Sequence, residues 1–220
     1  MAIDLESFFK KNKKFIIFFC IGVLIIIGGI LGYRYYNGYR DNKAYVLLRK
    51  GVRLYLSVGT SKTGNLKNIK KSIVILKQLK TKYNGTKAEI ISNFYVGSDY
   101  LLLRNYKKSI KYFKKYIDHY PVPHENNISY LAYSNIVTAE LNQKNNLKAI
   151  NYLNKMAKIN DVKLQEYAML EEASIYTMIG KPESAVAIYK KMMENDAMTK
   201  SRSYIENLIQ LNSRNNMTHK

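Results

Sequence analysis

The sequence is poor in residues that interrupt helices or crosslink a chain. Its 220 residues include three prolines, eleven glycines and one cysteine. A single cysteine excludes an intrachain disulfide bond, because such a bond needs two thiols. Since proline and glycine are the main residues that end helices, long helices can form here with few interruptions. The composition therefore predicts an all-α protein.

Acidic residues are also scarce. The chain has 16 Asp and Glu residues against 36 Lys and Arg residues, which gives a formal net charge of +20. Such an excess is attracted to nucleic acid or to anionic lipid head groups. The lysines occur in every segment and form no single stripe, which favours a compositional origin for most of the charge. An anionic membrane surface is the more plausible attractor, and nucleic acid is an unlikely partner.

The sequence contains no pattern typical of catalysis or metal binding. The three histidines, His119, His124 and His219, do not stand at metal-ligand spacing with another His, Cys or carboxylate. The adjacent pair Glu171-Glu172 points in directions about 100° apart on a helix and cannot act as an acid–base pair. No Gly-x-Ser-x-Gly motif or phosphate-binding Gly-rich loop occurs. We predict that the protein is not an enzyme, and has neither a metal site nor a cofactor.

One long apolar run lies near the N-terminus. The residues from Phe15 to Gly32 carry no charge. A helix of this length covers about 27 Å, close to the roughly 30 Å of a bilayer's hydrocarbon core. Tyr33, Tyr35 and Tyr36 follow as interfacial anchors. The sequence predicts a transmembrane signal anchor over residues 15–36, preceded by a short basic leader over residues 1–14.

A cleaved signal peptide and a lipidated cysteine are the alternatives to an anchor. The run is longer than a typical signal-peptide core, and no small-x-small cleavage site follows it. The bulky Phe18 and Phe19 precede Cys20, where lipidation requires small residues. Lysines before the span favour a cytoplasmic N-terminus, although basic residues also crowd the other side. We expect a single-pass protein of the bacterial inner membrane, with residues 37–220 forming an extracytoplasmic helical domain.

Two glycines of the span, Gly28 and Gly32, stand four residues apart. A small-xxx-small pair lets another membrane helix pack closely, so these residues are a candidate transmembrane helix contact. Such pairs also occur by chance in Gly-rich spans, and this alternative stays open.

The chain after the span contains copies of a helix-pair pattern. A tetratricopeptide repeat has 34 residues, with small residues at slots 8 and 20, aromatics at 11 and 24, and proline at 32. Slot 27 takes a small or medium residue. The small residues let the two helices approach, and the aromatics fill the space between repeats. With Ile90 in slot 1, slots 8, 11, 20, 24, 27 and 32 hold, in that order, Gly97, Tyr100, Ser109, Phe113, Tyr116 and Pro121. Five of these six residues fit, and Tyr116 is larger than slot 27 usually takes.

The pattern recurs on both sides of this copy, and the copy over residues 129–161 is weaker because Glu140 stands in the aromatic slot 11. Residues 167–196 place Ala173, Tyr176, Ala185, Tyr189 and Met192 in the same slots, and residues 129–161 place Val137, Ala149, Leu153 and Met156 there. A first copy has Ser72, Leu76 and Leu79, preceded by a helix from Asp41 to about Val58 and a polar loop from Gly59 to Asn65. A last helix, Lys200 to Arg214, is predicted to face inward with Tyr204, Leu208 and Leu211. We predict a tetratricopeptide-like α-solenoid of three to four degenerate repeats with a C-terminal capping helix.

In such an array the first helix of each repeat lines a concave groove through slots 2, 5, 9 and 12. The candidate groove residues are Ile91, Phe94, Ser98, Leu101, Leu131, Ser134, Thr138, Leu141, Tyr167, Leu170, Ser174 and Thr177. They are apolar or carry hydroxyls, and none is basic. This disfavours a clamp for a C-terminal carboxylate and suits an apolar or extended polypeptide segment. The alternative is that several of these side chains pack against a neighbouring helix.

The whole chain resembles the YfgM-like family of ancillary SecYEG translocon subunits, tetratricopeptide proteins of bacterial inner membranes. The resemblance rests on the leader ending SFFKKNKK, the uncleaved span, the degenerate repeats and the closing helix. The closest local match is Tyr33 to Asn37. The resemblance implies a position beside the Sec translocon, with a periplasmic chaperone and translocating polypeptides as partners. The basic domain and the long repeats depart from the family.

Three functions of different classes therefore remain open. The first is a membrane-anchored protein-interaction module near the translocon, which would be found with Sec subunits. The second is a structural scaffold for cell-envelope assembly or division, which would localise to the septum or pole. The third is a peripheral surface that binds anionic lipid and would bind anionic vesicles at physiological salt.

Overall fold

The computed structural model describes residues 5–57, 65–121, 128–158, 161–195 and 202–218. Within these residues the chain forms nine α-helices and no strand. They are α1 (Leu5–Leu56), α2 (Asn65–Lys82), α3 (Lys87–Leu102), α4 (Tyr106–His119), α5 (Ser129–Asn142), α6 (Asn146–Met156), α7 (Val162–Met178), α8 (Pro182–Met193) and α9 (Arg202–Thr218). The predicted all-α fold is confirmed. The predicted polar loop after α1 lies outside the described residues, except for Asn65.

The first helix joins the apolar run to the helical domain without a break. α1 contains the basic residues before the run, the run itself and the helix predicted from Asp41. No proline occurs in α1, so each turn can keep its backbone hydrogen bonds between Gly32 and Ala44. The apolar stretch is not buried inside the protein, and α1 is long and apolar enough to cross a membrane.

The helices pack in sequential pairs. α1 packs on α2, α3 on α4, α5 on α6 and α7 on α8, while α9 closes the array against α8. One core cluster joins α1, α2 and α3, a second extends from α3 to α7, and a third joins α7, α8 and α9. The prediction of an α-solenoid with a capping helix is confirmed, with four helix pairs. The first pair uses the last turns of α1.

Small residues at slots 8 and 20 bring the two helices of a repeat together. A Cβ atom on Gly97 would lie 2.9 Å from Cδ1 of Phe113, and one on Gly51 would overlap the side chain of Leu76. The slot-20 serine then reaches the bare backbone of the first helix. Ser109 Oγ donates to the Gly97 carbonyl at 2.8 Å, and Ser72 Oγ donates to the Gly51 carbonyl at 3.1 Å. Gly51 is therefore the slot-8 residue of the first repeat.

The turn inside each of the last three repeats places one residue in the left-handed region. The φ angles are +55° for Arg104, +60° for Lys144 and +73° for Gly180. These residues occupy the same position between the two helices of their repeats. L-residues with a side chain are strained in this region, so only the last of these turns has the residue that suits it best.

We expect Gly180→Ala to lower the free energy of unfolding by about 1 kcal/mol, because the left-handed backbone is strained by a Cβ atom. No described atom lies within 4 Å of a Cβ built there, so the loss does not come from a clash. Urea unfolding followed by circular dichroism at 222 nm measures the loss. Gly180→Asn is the matched control and should lose less, because asparagine tolerates this region. Equal losses for the two variants would contradict the backbone explanation.

The predicted orientation of the last helix is partly wrong. Tyr204 and Leu211 are each 57% exposed, whereas Ile205 and Asn212 are buried. Leu208 is half-buried and packs against the last core cluster, as predicted. The two possible stripes differ by one residue in phase, and both contain apolar side chains. The stripe that faces inward is the one that contains Asn212, whose Oδ1 atom accepts a hydrogen bond from Thr177 on α7.

Candidate protein-binding face of the first helices

The candidate groove residues lie on α3, α5 and α7, the first helices of the last three repeats. Successive first helices contact each other from α1 to α3 and from α3 to α5. The rings of Tyr55 on α1 and Tyr95 on α3 have centroids 5.6 Å apart. We name the side of α3, α5 and α7 that carries the candidate groove residues the first-helix face; a hydrogen bond between Ser134 on α5 and Tyr167 on α7 extends it to the last repeat.

On α3 the candidate residues are largely inside the protein. Phe94 and Ser98 are buried, and Ile91 and Leu101 are half-buried. The Phe94 ring packs edge-on against Phe113 at 5.5 Å between centroids. Ser98 Oγ donates to the Phe94 carbonyl at 3.1 Å. This part of the predicted groove offers a partner little surface.

Two candidate residues meet between α5 and α7. Ser134 Oγ and the Tyr167 hydroxyl are hydrogen-bonded at 3.2 Å, and Tyr167 remains 41% exposed. Thr138 is exposed and donates to the Ser134 carbonyl at 3.1 Å. Leu131 is 39% exposed on the same helix, while Leu141 is half-buried. The hydroxyl groups here both line the surface and join neighbouring repeats.

A similar contact joins α7 to the capping helix. The Thr177 hydroxyl lies 2.6 Å from Asn212 Oδ1 and 3.1 Å from the Ala173 carbonyl. The Asn212 amide donates to the Leu208 carbonyl at 2.9 Å. Ser174 is exposed, and Leu170 is half-buried against the last core cluster. The sequence analysis did not find Asn212, whose only signal is a polar residue at a helical spacing from Ile205 and Leu208.

Charge is divided between the two kinds of helix. α3, α5 and α7 contain two lysines and six acidic residues. The second helices, α2, α4, α6 and α8, contain fifteen lysines and two acidic residues. The lysines of these repeats are therefore concentrated on the second helices, a distribution that the sequence analysis, which found no single stripe, did not detect. Three of the six acidic residues of the first helices, Glu89, Asp99 and Glu140, are buried, so the first-helix face carries little charge of either sign.

A buried carboxyl group occurs on α3, turned away from the first-helix face toward α2. Asp99 is fully buried, and neither of its oxygens has a hydrogen-bond partner among the described residues. Burial raises the pKa of this carboxyl from 3.8 to about 7, and the Ser72 hydroxyl acts in the opposite direction. Asp99 occupies the slot held by Ala139 and Ile175 in later repeats. This comparison between repeats is the signal that sequence reasoning missed.

The two glycines of the span lie on the exposed part of α1. No described atom lies within 4 Å of a Cβ built on Gly28 or Gly32, so this side of the helix is open. Among the described residues no group of three or more His, Cys, Asp or Glu side chains is placed to hold a metal ion.

A family model and a solved structure relate the chain to known proteins. A family model described as a tetratricopeptide repeat-like domain matches residues 6–215, which include the apolar run. Among solved structures, the chain is similar to the crystal structure of MamA, with 15% sequence identity and a TM-score of 0.44. That similarity covers 72% of this chain and 97% of MamA. No curated protein matches the chain significantly.

Proposed function

Because the chain belongs to the tetratricopeptide repeat-like domain family, we propose that it is a membrane-anchored protein-interaction module beside the Sec translocon. It would hold translocating polypeptides, or recruit a periplasmic chaperone to them. The observation that carries the proposal is the continuity of α1, which extends from the apolar run into the first repeat. A continuous helix holds the binding face at a fixed distance from the membrane.

The first-helix face suits an extended polypeptide segment. Its exposed residues on α5 and α7 combine apolar side chains, such as Leu131 and Tyr167, with the hydroxyls of Thr138 and Ser174. Apolar pockets bind alternate side chains of an extended segment, and hydroxyl groups bond to its backbone. Because α5 and α7 contain a single lysine, anionic lipid head groups are not attracted to this face in place of a polypeptide.

The proposed topology places the N-terminus in the cytoplasm and residues 37–220 outside it, with Gly28 and Gly32 facing a neighbouring membrane helix. Protease added to intact spheroplasts should then digest the helical domain without prior lysis of the cells. A cytoplasmic marker protein in the same sample controls for intactness. Protection of the domain until lysis would reverse the topology and remove translocated proteins from the possible partners.

Site-specific photocrosslinking in native membranes tests the function. A photoreactive residue at Thr138 or Ser174 should crosslink to Sec subunits, a periplasmic chaperone or a translocating chain. The matched control is the exposed Lys111 on α4, a second helix that carries none of the candidate groove residues. Recovery of the same proteins from all three positions, or of only unrelated envelope proteins, would contradict the proposal.

We expect Thr138→Glu to lower crosslinking from Ser174 by about tenfold. The new charge would have to be desolvated when an apolar segment binds across α5 and α7. Thr138 is exposed, so its replacement should change the free energy of unfolding by no more than about 0.5 kcal/mol. Lys111→Glu is the control and should crosslink like the parent protein. A normal yield from Thr138→Glu would exclude this face as the binding surface.

A further inference from the structure

The outer side of α2 combines a high positive charge with exposed apolar side chains. α2 has six lysines and no acidic residue. A cleft of about 520 Å³ on this helix is lined by Leu66, Lys67, Lys70, Lys71, Val74 and Ile75. Leu66 is 64% exposed and Val74 is 60% exposed, so two apolar side chains lie open to solvent between lysines. The buried residues of α2, such as Ile69 and Leu76, lie on the opposite side of the helix.

The contacts between α1 and α2 fix the position of this cleft along the anchor helix. Arg40 donates to the Asn84 carbonyl at 3.3 Å, so the end of α2 lies near the apolar run. Asn68 donates to Ser57 Oγ at 3.0 Å, so the start of α2 lies at the far end of α1. A helix rises about 1.5 Å per residue, which places Ser57 about 30 Å beyond Tyr36 and Gly51 about 20 Å beyond it.

This distance excludes the bilayer as the occupant of the cleft. Attraction between exposed charges decays over about 8 Å at physiological ionic strength. Lys67, Lys70 and Lys71 lie at the level of α1 between Gly51 and Ser57, because Ser72 donates to the Gly51 carbonyl. These three lysines therefore lie too far from the membrane that holds α1 to interact with its lipid head groups. This step rests on the proposed membrane crossing of α1.

The lining also distinguishes between a protein and a nucleic acid. Proteins that bind single-stranded nucleic acid without sequence preference combine basic side chains with aromatic rings on which bases stack. Among the described residues, the lining of the cleft includes no aromatic residue and no arginine, and its apolar side chains are aliphatic. Aliphatic side chains flanked by lysines are complementary to an amphipathic helix with leucine-like side chains between carboxylates.

We propose that the outer side of α2 is a second docking site, which binds an acidic amphipathic segment of a partner protein. Leu66, Val74 and Ile75 receive its apolar side chains, and Lys67, Lys70 and Lys71 pair with its carboxylates. The site is separate from the first-helix face, because α2 belongs to the second helices. The protein would thus hold two polypeptides at once, one on each side of the solenoid.

The test uses the full chain in nanodiscs of zwitterionic lipid and a labelled helical peptide of leucine and glutamate. Fluorescence anisotropy should show binding that weakens about tenfold when Lys67, Lys70 and Lys71 are all replaced by glutamate. Lys158, Lys190 and Lys191, which are also exposed, provide the matched control. Their replacement changes the net charge equally and should leave binding nearly unchanged. Circular dichroism confirms that both variants keep their helices.

The apolar contacts are tested separately. Val74→Ser should weaken binding several-fold, as should a peptide with serine in place of leucine. Absence of peptide binding, an equal loss in both charge variants, or equal binding of the serine peptide would overturn the proposal. Displacement of the peptide by a lower concentration of single-stranded DNA would assign the cleft to nucleic acid. Loss of peptide binding in nanodiscs of anionic lipid would show that lipid head groups reach the cleft and would also overturn the proposal. This result would not depend on the function of the first-helix face.

Discussion

Asp99→Asn is expected to make the helical domain more stable at about pH 8, by about 2 kcal/mol. It should also remove most of the change in the free energy of unfolding between about pH 4 and pH 7. The carboxyl of Asp99 is fully buried at the contact between α2 and α3. It replaces the apolar residues that later repeats have at the same slot. In the parent protein this carboxyl should be the main cause of lower stability at high pH.

The direction follows from the pKa of Asp99, which burial raises from 3.8 to about 7. Between these values the folded protein keeps a proton that the unfolded chain has released. The free energy of unfolding therefore falls as pH rises through this range and levels off above about pH 7. One pKa unit corresponds to about 1.4 kcal/mol, so the full change is roughly 4 kcal/mol. A buried amide also lacks partners, which reduces the net gain to about half.

The Ser72 hydroxyl does not remove this cost. It lies near the carboxyl and lowers its pKa, but it donates its proton to the Gly51 carbonyl at 3.1 Å. That bond holds α1 against α2, so a charged Asp99 competes with it for the same hydroxyl. Deprotonation of Asp99 therefore weakens the contact between α1 and α2 within the first repeat, in addition to the cost of burying the charge itself.

Urea unfolding of the full chain in nanodiscs, measured at several pH values between about 5 and 8, tests this prediction. Asp118 on α4 is exposed and provides a control, since Asp118→Asn removes the same charge from the surface. The control should follow the parent curve. Parallel curves for the parent and Asp99→Asn would show that the buried carboxyl is not the source of the pH dependence.

The repeat phase was predictable from the sequence because packing constrains its slots strongly. Gly97, Phe113 and Ser109 can occupy slots 8, 24 and 20 only in one register, and the structure places them there. The length of α1 was not predictable in the same way. The hydropathy of the sequence shows that the apolar run ends near Gly32, but it does not show where the helix ends. The helix continues to Leu56 because no proline in the following residues interrupts it.

The candidate face was predictable in position but not in exposure. Slots 5 and 9 of the second repeat hold Phe94 and Ser98, which are buried, whereas Ser134 and Ser174 occupy the same kinds of slot on a more open surface. The difference arises because the Phe94 ring fills space beside Phe113 and Tyr116. The exposure of a side chain depends on the size of its neighbours on other helices. The spacing of residues within one helix gives no information about those neighbours.

The largest loss from one core substitution is expected for Phe113→Ala, about 3–5 kcal/mol in the free energy of unfolding. Phe113 is fully buried, and its ring packs against Phe94 and over Gly97. Truncation leaves a cavity where α3 and α4 meet. Urea unfolding measures the loss, and Tyr130→Ala is the control, since Tyr130 is an aromatic on α5 that is 37% exposed. Similar losses for both would contradict the central position of Phe113.

A double-mutant cycle with Gly97 tests why slot 8 is small. In the parent protein, Gly97→Ala should cost about 1–3 kcal/mol, because the new methyl group would lie 2.9 Å from the Phe113 ring. In the Phe113→Ala background the same change should become stabilising by up to about 1 kcal/mol, since alanine favours a helix more than glycine does. The Ser109 bond cannot cause this reversal, because alanine keeps the carbonyl that Ser109 contacts. Additive effects would mean that the glycine serves the backbone, whereas a change of sign would show that the aromatic of slot 24 requires it.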